Sequence, residues 1–275
     1  AVVFTGGMKA TLALLLVLAD YALMYAMRYL AHVEKHKTLS ALETSITLKI
    51  CAVLFINNAL LQLLVYAKVD ALRWVPLLFK GDYDDFESGW YDDAGETIMI
   101  HMAVHVVAWP MREPFVYALS RLKLWWRQSH MVTQHELNQL YEPSQFMLAE
   151  RNGQLLASVL LGVTFSTGMP VMVLLTLLFL LLQNASDRYM LFKKCKTPLK
   201  YGRAISDIVV KHLPFYALVH LAIGTWMIGY SGLDSYTWDN ASALSSNLDK
   251  FKGRTFNVGE RLRHISTLPL FLLLL

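Results

Sequence analysis

Two histidines, His101 and His105, stand four residues apart in an apolar stretch. On a helix this spacing sets both imidazoles on one face, an arrangement that suits a divalent metal. The other parts of such a site are not evident. No glutamate follows His101 as in an HExxH motif, Glu96 lies about a turn earlier, and no third ligand is apparent, so no metal site is expected. The alternatives are a pH-sensitive polar contact between helices or a place on the wall of a hydrated path. A second polar group, Asn57, Asn58 and Gln62, interrupts another apolar run. Asn58 and Gln62 share a helical face, and their amide carbonyls could solvate a permeating cation. Equally, they could hydrogen-bond neighbouring helices. Asp20 is a carboxylate inside an apolar run, which marks a functional position by default, with Lys49 as a candidate partner. Thr164 and Ser166 offer hydroxyls for the same path, or for close helix packing.

A third chemistry is electrostatic. Arg188, Lys193, Lys194, Lys196, Lys200 and Arg203 crowd one short segment. They are candidates for binding anionic lipid headgroups, or they do no more than fix topology. Catalysis is not expected: there is no glycine-rich phosphate loop and no nucleophile elbow. No cofactor and no nucleic-acid partner is indicated. The two cysteines, Cys51 and Cys195, have no metal-type spacing and are not expected to pair.

The elements that must position these residues are apolar helices. Hydrophobic residues make up 55% of the 275, and mean hydropathy is +0.39, beyond an ordinary soluble domain. A spanning helix needs about 20 apolar residues. We read apolar segments at 11–30, 46–67, 94–110, 155–168, 170–183, 205–230 and, incomplete, 267–275. The expected fold class is all-α: a polytopic helical membrane protein of about six to seven spans. It forms a single transmembrane domain over residues 1–275, multi-pass in a plasma or other cellular membrane. The first residue is not methionine and the last apolar run is short, so we read the chain as part of a longer polypeptide. Between 94–110 and 155–168, the segment around Trp125 and Trp126 reads as an interfacial helix with basic residues beside it.

The run 155–183 is longer than one span, and Gly168-Met169-Pro170 sits near its middle. It is either a kinked long helix or a hairpin of two short helices, with Gly168 permitting the turn and Pro170 breaking the hydrogen bonding. The hairpin is preferred. It returns the basic segment after residue 187 to the side that carries Arg112, Arg121, Lys123, Arg127 and Arg151, in accord with the excess of positive charge on cytoplasmic loops.

Several motifs occur in order. They are Glu34-Lys35-His36-Lys37-Thr38, then Ser45, Lys49 and Phe55-Ile56-Asn57, then Trp90-Tyr91-Asp92-Asp93-Ala94-Gly95. Gly168-Met169-Pro170, Asp187-Arg188-Tyr189, Lys196-Thr197-Pro198 and Leu213-Pro214 follow. Together these resemble the superfamily of OSCA-type hyperosmolality-gated cation channels, anoctamins and transmembrane-channel-like proteins, the OSCA-type branch above all, over most of residues 30–230. The resemblance implies the central part of such a protein, with a permeation path along the first three spans and the first hairpin arm. It implies a cation-permeable channel, mechanically or osmotically gated; a lipid scramblase is the alternative. The carboxylate set of the anoctamin calcium site is not found. Expected partners are membrane lipids, permeating cations and a second copy or larger membrane assembly. A structural subunit that does not transport is a further reading.

Overall fold

The structure, a computed structural model, describes residues 2–68, 79, 81–83, 85–127, 133–143, 145–196 and 204–228. The described residues are helical: α1 (Val2–Val33), α2 (Leu39–Phe55), α3 (Leu61–Tyr66), α4 (Ser88–Trp90), α5 (Glu96–Arg127), α6 (Gln134–Tyr141), α7 (Leu148–Phe165), α8 (Val171–Lys193) and α9 (Ala204–Ile228). Two π-helical segments interrupt the α pattern. π1 (Ile56–Leu60) joins α2 to α3, and π2 (Tyr91–Gly95) joins α4 to α5. The segment 267–275 lies outside the described residues.

On two of the long helices apolar side chains face outward and polar groups face inward. On α8, Leu174, Leu177, Leu178, Leu181 and Leu182 are exposed, whereas Thr176, Phe179 and Gln183 are buried. On α1, Leu14, Leu15 and Leu18 are exposed, and Val17, Asp20 and Met24 are buried. Both patterns follow the helical repeat, but with leucine outward and polar groups inward, the reverse of a helix that faces water. Four helical stretches are long and apolar enough to cross a membrane by length and composition: Leu14–Val33, Leu39–Tyr66, Val171–Lys193 and Asp207–Ile228. They are compatible with an integral membrane protein.

The expected segments differ from the helices in instructive ways. The run 46–67 begins seven residues earlier, at Leu39, because Thr38 Oγ1 accepts the Ala41 N–H at 3.2 Å and caps the helix. The segment 94–110 does not stop at Pro110. Helix α5 continues through Pro110 and Pro114 to Arg127, so the expected interfacial helix is its C-terminal part, with Trp125 and Trp126 exposed. Pro114 has no N–H for the Pro110 carbonyl, and Ser186 Oγ donates to that carbonyl at 2.7 Å instead.

The break at Gly168–Pro170 is present, with α7 ending at Phe165 and α8 starting at Val171. The chain reverses there. Arg151 and Asp187, each eighteen residues from Met169, form an ion pair. The arms are longer than expected. With 18 and 23 residues they measure about 27 and 35 Å, because α7 starts at Leu148 and α8 runs on to Lys193. Glycine is needed in the turn for space, not for a left-handed backbone. No described glycine has positive φ, and a Cβ on Gly168 would run into Met227 and come within 2.8 Å of Tyr91 Oη.

The chain divides into two compact units. The first takes its described residues from 1–54, 100–158 and 174–208, the second from 55–99, 159–173 and 209–275. In the first unit, the connector between α1 and α2 closes on Glu34. Its carboxylate meets Lys49 Nζ, His36 Nε2 at 3.1 Å and Ser45 Oγ at 3.3 Å. The hydrogen bond from Lys49 holds this carboxyl below its ordinary range. Lys49 is therefore the partner of Glu34. In the same unit α2 and α7 touch closely. Thr47 Oγ1 donates to the Ala149 carbonyl at 3.2 Å, and a Cβ on Gly153 would lie 2.9 Å from Ile50 Cβ and from the Thr47 carbonyl oxygen. Small residues permit such an approach between helices in lipid. We expect Gly153→Val to destabilise the protein by about 1–3 kcal/mol, read as a lower unfolding midpoint in detergent. Gly153→Ser should show a smaller loss.

Candidate functional site

Each polar site follows from which helical faces point inward. On α5, Ile98, His101, Met102, His105, Val106 and Trp109 are buried, a stripe at intervals of three and four residues. On α1 the matching stripe carries Asp20. The first unit thus brings together Asp20, His101 and His105, which are 0%, 3% and 4% exposed. His101 Nε2 lies 3.7 Å from Asp20 Oδ2. One ligand atom from each of the three residues lies within 4.8 Å of the others. His105 is held from several sides. Its Nε2 pairs with Ser158 Oγ of α7 at 2.9 Å, and its ring packs against Trp109 at 5.3 Å and Phe179 of α8 at 5.1 Å between centroids. Tyr21 packs against Trp109, with ring centroids 4.2 Å apart and the planes tilted by 45°. The Trp109 indole N–H is buried and has no hydrogen-bond partner among the described residues.

The third member, Asp20, was not assigned to the histidines from sequence, because the helix that carries it is about 80 residues away. Ser158 was missed as well. A signal for it existed: Gln154 and Ser158 are polar residues four apart in an otherwise apolar run, the same spacing as the two histidines.

The second unit holds the amide group. Asn57 and Asn58 lie in π1, and Asn57 Nδ2 donates to Asn58 Oδ1 at 3.2 Å. Asn58 is buried, while Asn57 and Gln62 are half-buried. A π turn rotates the side chains beyond it relative to an unbroken α-helix, so the shared face of Asn58 and Gln62 is not that of a regular helix. Of the hydroxyls, Thr164 is fully buried and donates to the Leu160 carbonyl of its own helix at 2.6 Å. Ser166 Oγ donates to the Val163 carbonyl at 2.7 Å and lies 3.4 Å from His220 Nδ1 of α9. Both hydroxyls are engaged with the α7 end.

A network of three arginines and three carboxylates ties four helices of the first unit. Arg28 of α1 donates to Glu150 of α7 at 2.9 Å. Arg112 of α5 bonds Glu113 at 3.0 Å through Nε and lies 3.6 Å from Glu150. Arg151 pairs with Asp187 of α8 and lies 3.6 Å from Glu113. Gln183 Nε2 also donates to Asp187, at 2.8 Å, and the Arg151 guanidinium sits 4.2 Å above the Phe146 ring.

The basic candidates separate. Lys193 and Lys194 line a cleft of about 420 Å³ with Arg121, Lys123, Tyr117 and Glu142. Lys194 Nζ lies 4.7 Å above the Tyr117 ring, and its bond to the tyrosine hydroxyl holds the ammonium above its ordinary pKa. Lys196 pairs with Glu142. Arg188 is exposed, and Lys200 and Arg203 lie outside the described residues. Arg121 and Lys123 join this group only because α5 continues past Pro114.

Removing Arg151 would strand the Asp187 carboxylate without its cation and take one of two cations from Glu113, which keeps Arg112. We expect Arg151→Met to destabilise the protein by about 3 kcal/mol, measured by thermal unfolding in detergent. Arg151→Met with Asp187→Leu should recover part of that loss, because an apolar pair costs less than a stranded charge. Comparison with known proteins assigns no family to the chain: no family model, no curated protein and no solved structure matches it.

Proposed function

We propose that the chain is the transmembrane core of a cation-permeable channel opened by membrane tension or osmotic stress. The observation that carries this reading is the burial of polar groups on helices whose opposite faces are exposed leucines. Polar side chains inside a membrane bundle are costly to keep and mark conduction or binding. In this reading α5 and α7 cross the membrane beside the four apolar stretches, giving six spans. At 32 and 18 residues both are long enough. Their hydropathy is low because they carry charged residues such as Arg112, Glu113, Glu150 and Arg151 beside the inward-facing histidines, Gln154 and Ser158.

Asn57, Asn58 and Gln62 supply carbonyl oxygens able to replace part of a cation's hydration. Tension selects the conformation with the larger area in the membrane plane, and conduction follows if that conformation widens the amide-lined segment. The cleft around Lys193 and Lys194 takes an anionic lipid headgroup, through ammonium and guanidinium groups beside an aromatic ring.

The decisive recording uses the chain reconstituted in liposomes and patched under stepped suction. Cation currents should rise with suction and fall several-fold in the triple variant Asn57→Leu, Asn58→Leu, Gln62→Leu. Silent patches would reject the channel. If the same liposomes exchanged labelled lipids between leaflets, the scramblase would replace it. For the cleft, Lys193→Ala with Lys194→Ala should lower the anionic lipid that co-purifies, quantified by mass spectrometry. Unchanged lipid content would reject the headgroup site.

A further inference from the structure

We infer that Asp20, His101 and His105 form a binding site for one divalent transition-metal ion of the zinc type, joining α1 to α5 inside the first unit. The inference concerns binding and does not depend on conduction.

Three features carry it. The first is the donor set. Two imidazoles and one carboxylate are borderline ligands that suit Zn²⁺, Co²⁺ or Fe²⁺, whereas Ca²⁺ and Mg²⁺ prefer oxygen alone. The second is convergence. A tetrahedral ion with bonds of about 2.1 Å holds its ligand atoms about 3.4 Å apart. His101 and Asp20 already stand at 3.7 Å, and all three ligand atoms lie within 4.8 Å of one another. Small side-chain rotations close the set on an ion. The i, i+4 spacing of the histidines tilts their rings by 50° with centroids 6.0 Å apart, so both address the same side of α5.

The third feature is support from a neighbouring helix. Histidines that bind metals commonly fix their other ring nitrogen on a hydrogen-bond acceptor, which sets tautomer and orientation. Ser158 Oγ, 2.9 Å from His105 Nε2, would fill that position for a His105 that binds the ion through Nδ1. The packing of Phe179 and Trp109 around His105 restricts the ring further and excludes lipid and bulk water. The ion's two positive charges would also offset the ionised Asp20 carboxylate, which is fully buried and costly to charge in this interior. With three protein ligands, a fourth position stays open for water.

The test uses the full chain purified in detergent, stripped with a chelator, then dialysed against Zn²⁺ or Co²⁺ with excess Mg²⁺. Elemental analysis should find one Zn²⁺ per chain that Mg²⁺ does not displace. Co²⁺ should give the visible absorption of a four- or five-coordinate nitrogen–oxygen site. His105→Ala and Asp20→Asn should lose both signals, and Ser158→Ala should weaken affinity by about 10–100-fold while the Co²⁺ spectrum persists. Should His105→Ala fail to fold, His105→Gln keeps the volume and should still lose the Co²⁺ absorption. No bound Zn²⁺, or Zn²⁺ retained at equal affinity by folded Asp20→Asn and His105→Gln, would overturn the site.

Discussion

Arg151 is a buried guanidinium at the start of α7, a helix whose residues are enclosed on nearly every side. A charge there is tolerable only if its partners are fixed, because desolvation outweighs any loosely held attraction. Asp187 and Glu113 supply that fixation from α8 and α5, Gln183 holds Asp187 in turn, and the Phe146 ring lies against the guanidinium. The pairing with Asp187 sets the register of the α7–α8 hairpin. Glu150, the preceding residue, extends the same network to α1 through Arg28. Four helices of the first unit are therefore tied together by three arginines and the carboxylates they require.

The same constraint shapes the rest of that unit. A polar group shielded from water must find a partner, so the inward stripe of each helix acquires definite neighbours. Ser158 meets His105, Thr47 meets the Ala149 carbonyl, and Ser186 answers the carbonyl that Pro114 leaves without a donor. Asp20 and the two histidines are the most concentrated instance. Their grouping is a consequence of helix packing that also creates a set of ligands with metal chemistry.

The second unit departs more from regular geometry. Both π turns lie in it, one carrying Asn57 and Asn58 and one beginning at Tyr91. The hairpin turn is close to the second of these. A Cβ on Gly95 would lie 3.2 Å from Met169 Sδ, and Thr167 Oγ1 would lie 2.7 Å from one on Gly224 of α9. Inserted residues and small contact residues together make a segment where the helices deviate from straight packing, which is where π turns often accompany function.

Composition and the spacing of polar residues determined a good deal from sequence alone. They indicated an all-helical chain, a break at Gly168–Pro170 and the pairing in space of His101 with His105, because helical periodicity is local and leucine-rich runs are legible by hydropathy. They did not delimit α5 and α7. These helices bury Glu150, Arg151, Gln154, Ser158 and the histidines, and such polar residues lower the apparent hydropathy of helical faces that are in fact interior. Nor did they join Asp20 to the histidines, give Lys49 to Glu34, or place Arg121 beside Lys193. Each of those depends on which faces of separate helices meet, and that is settled by packing and by the need of buried charges for partners, neither of which has a fixed separation along the chain.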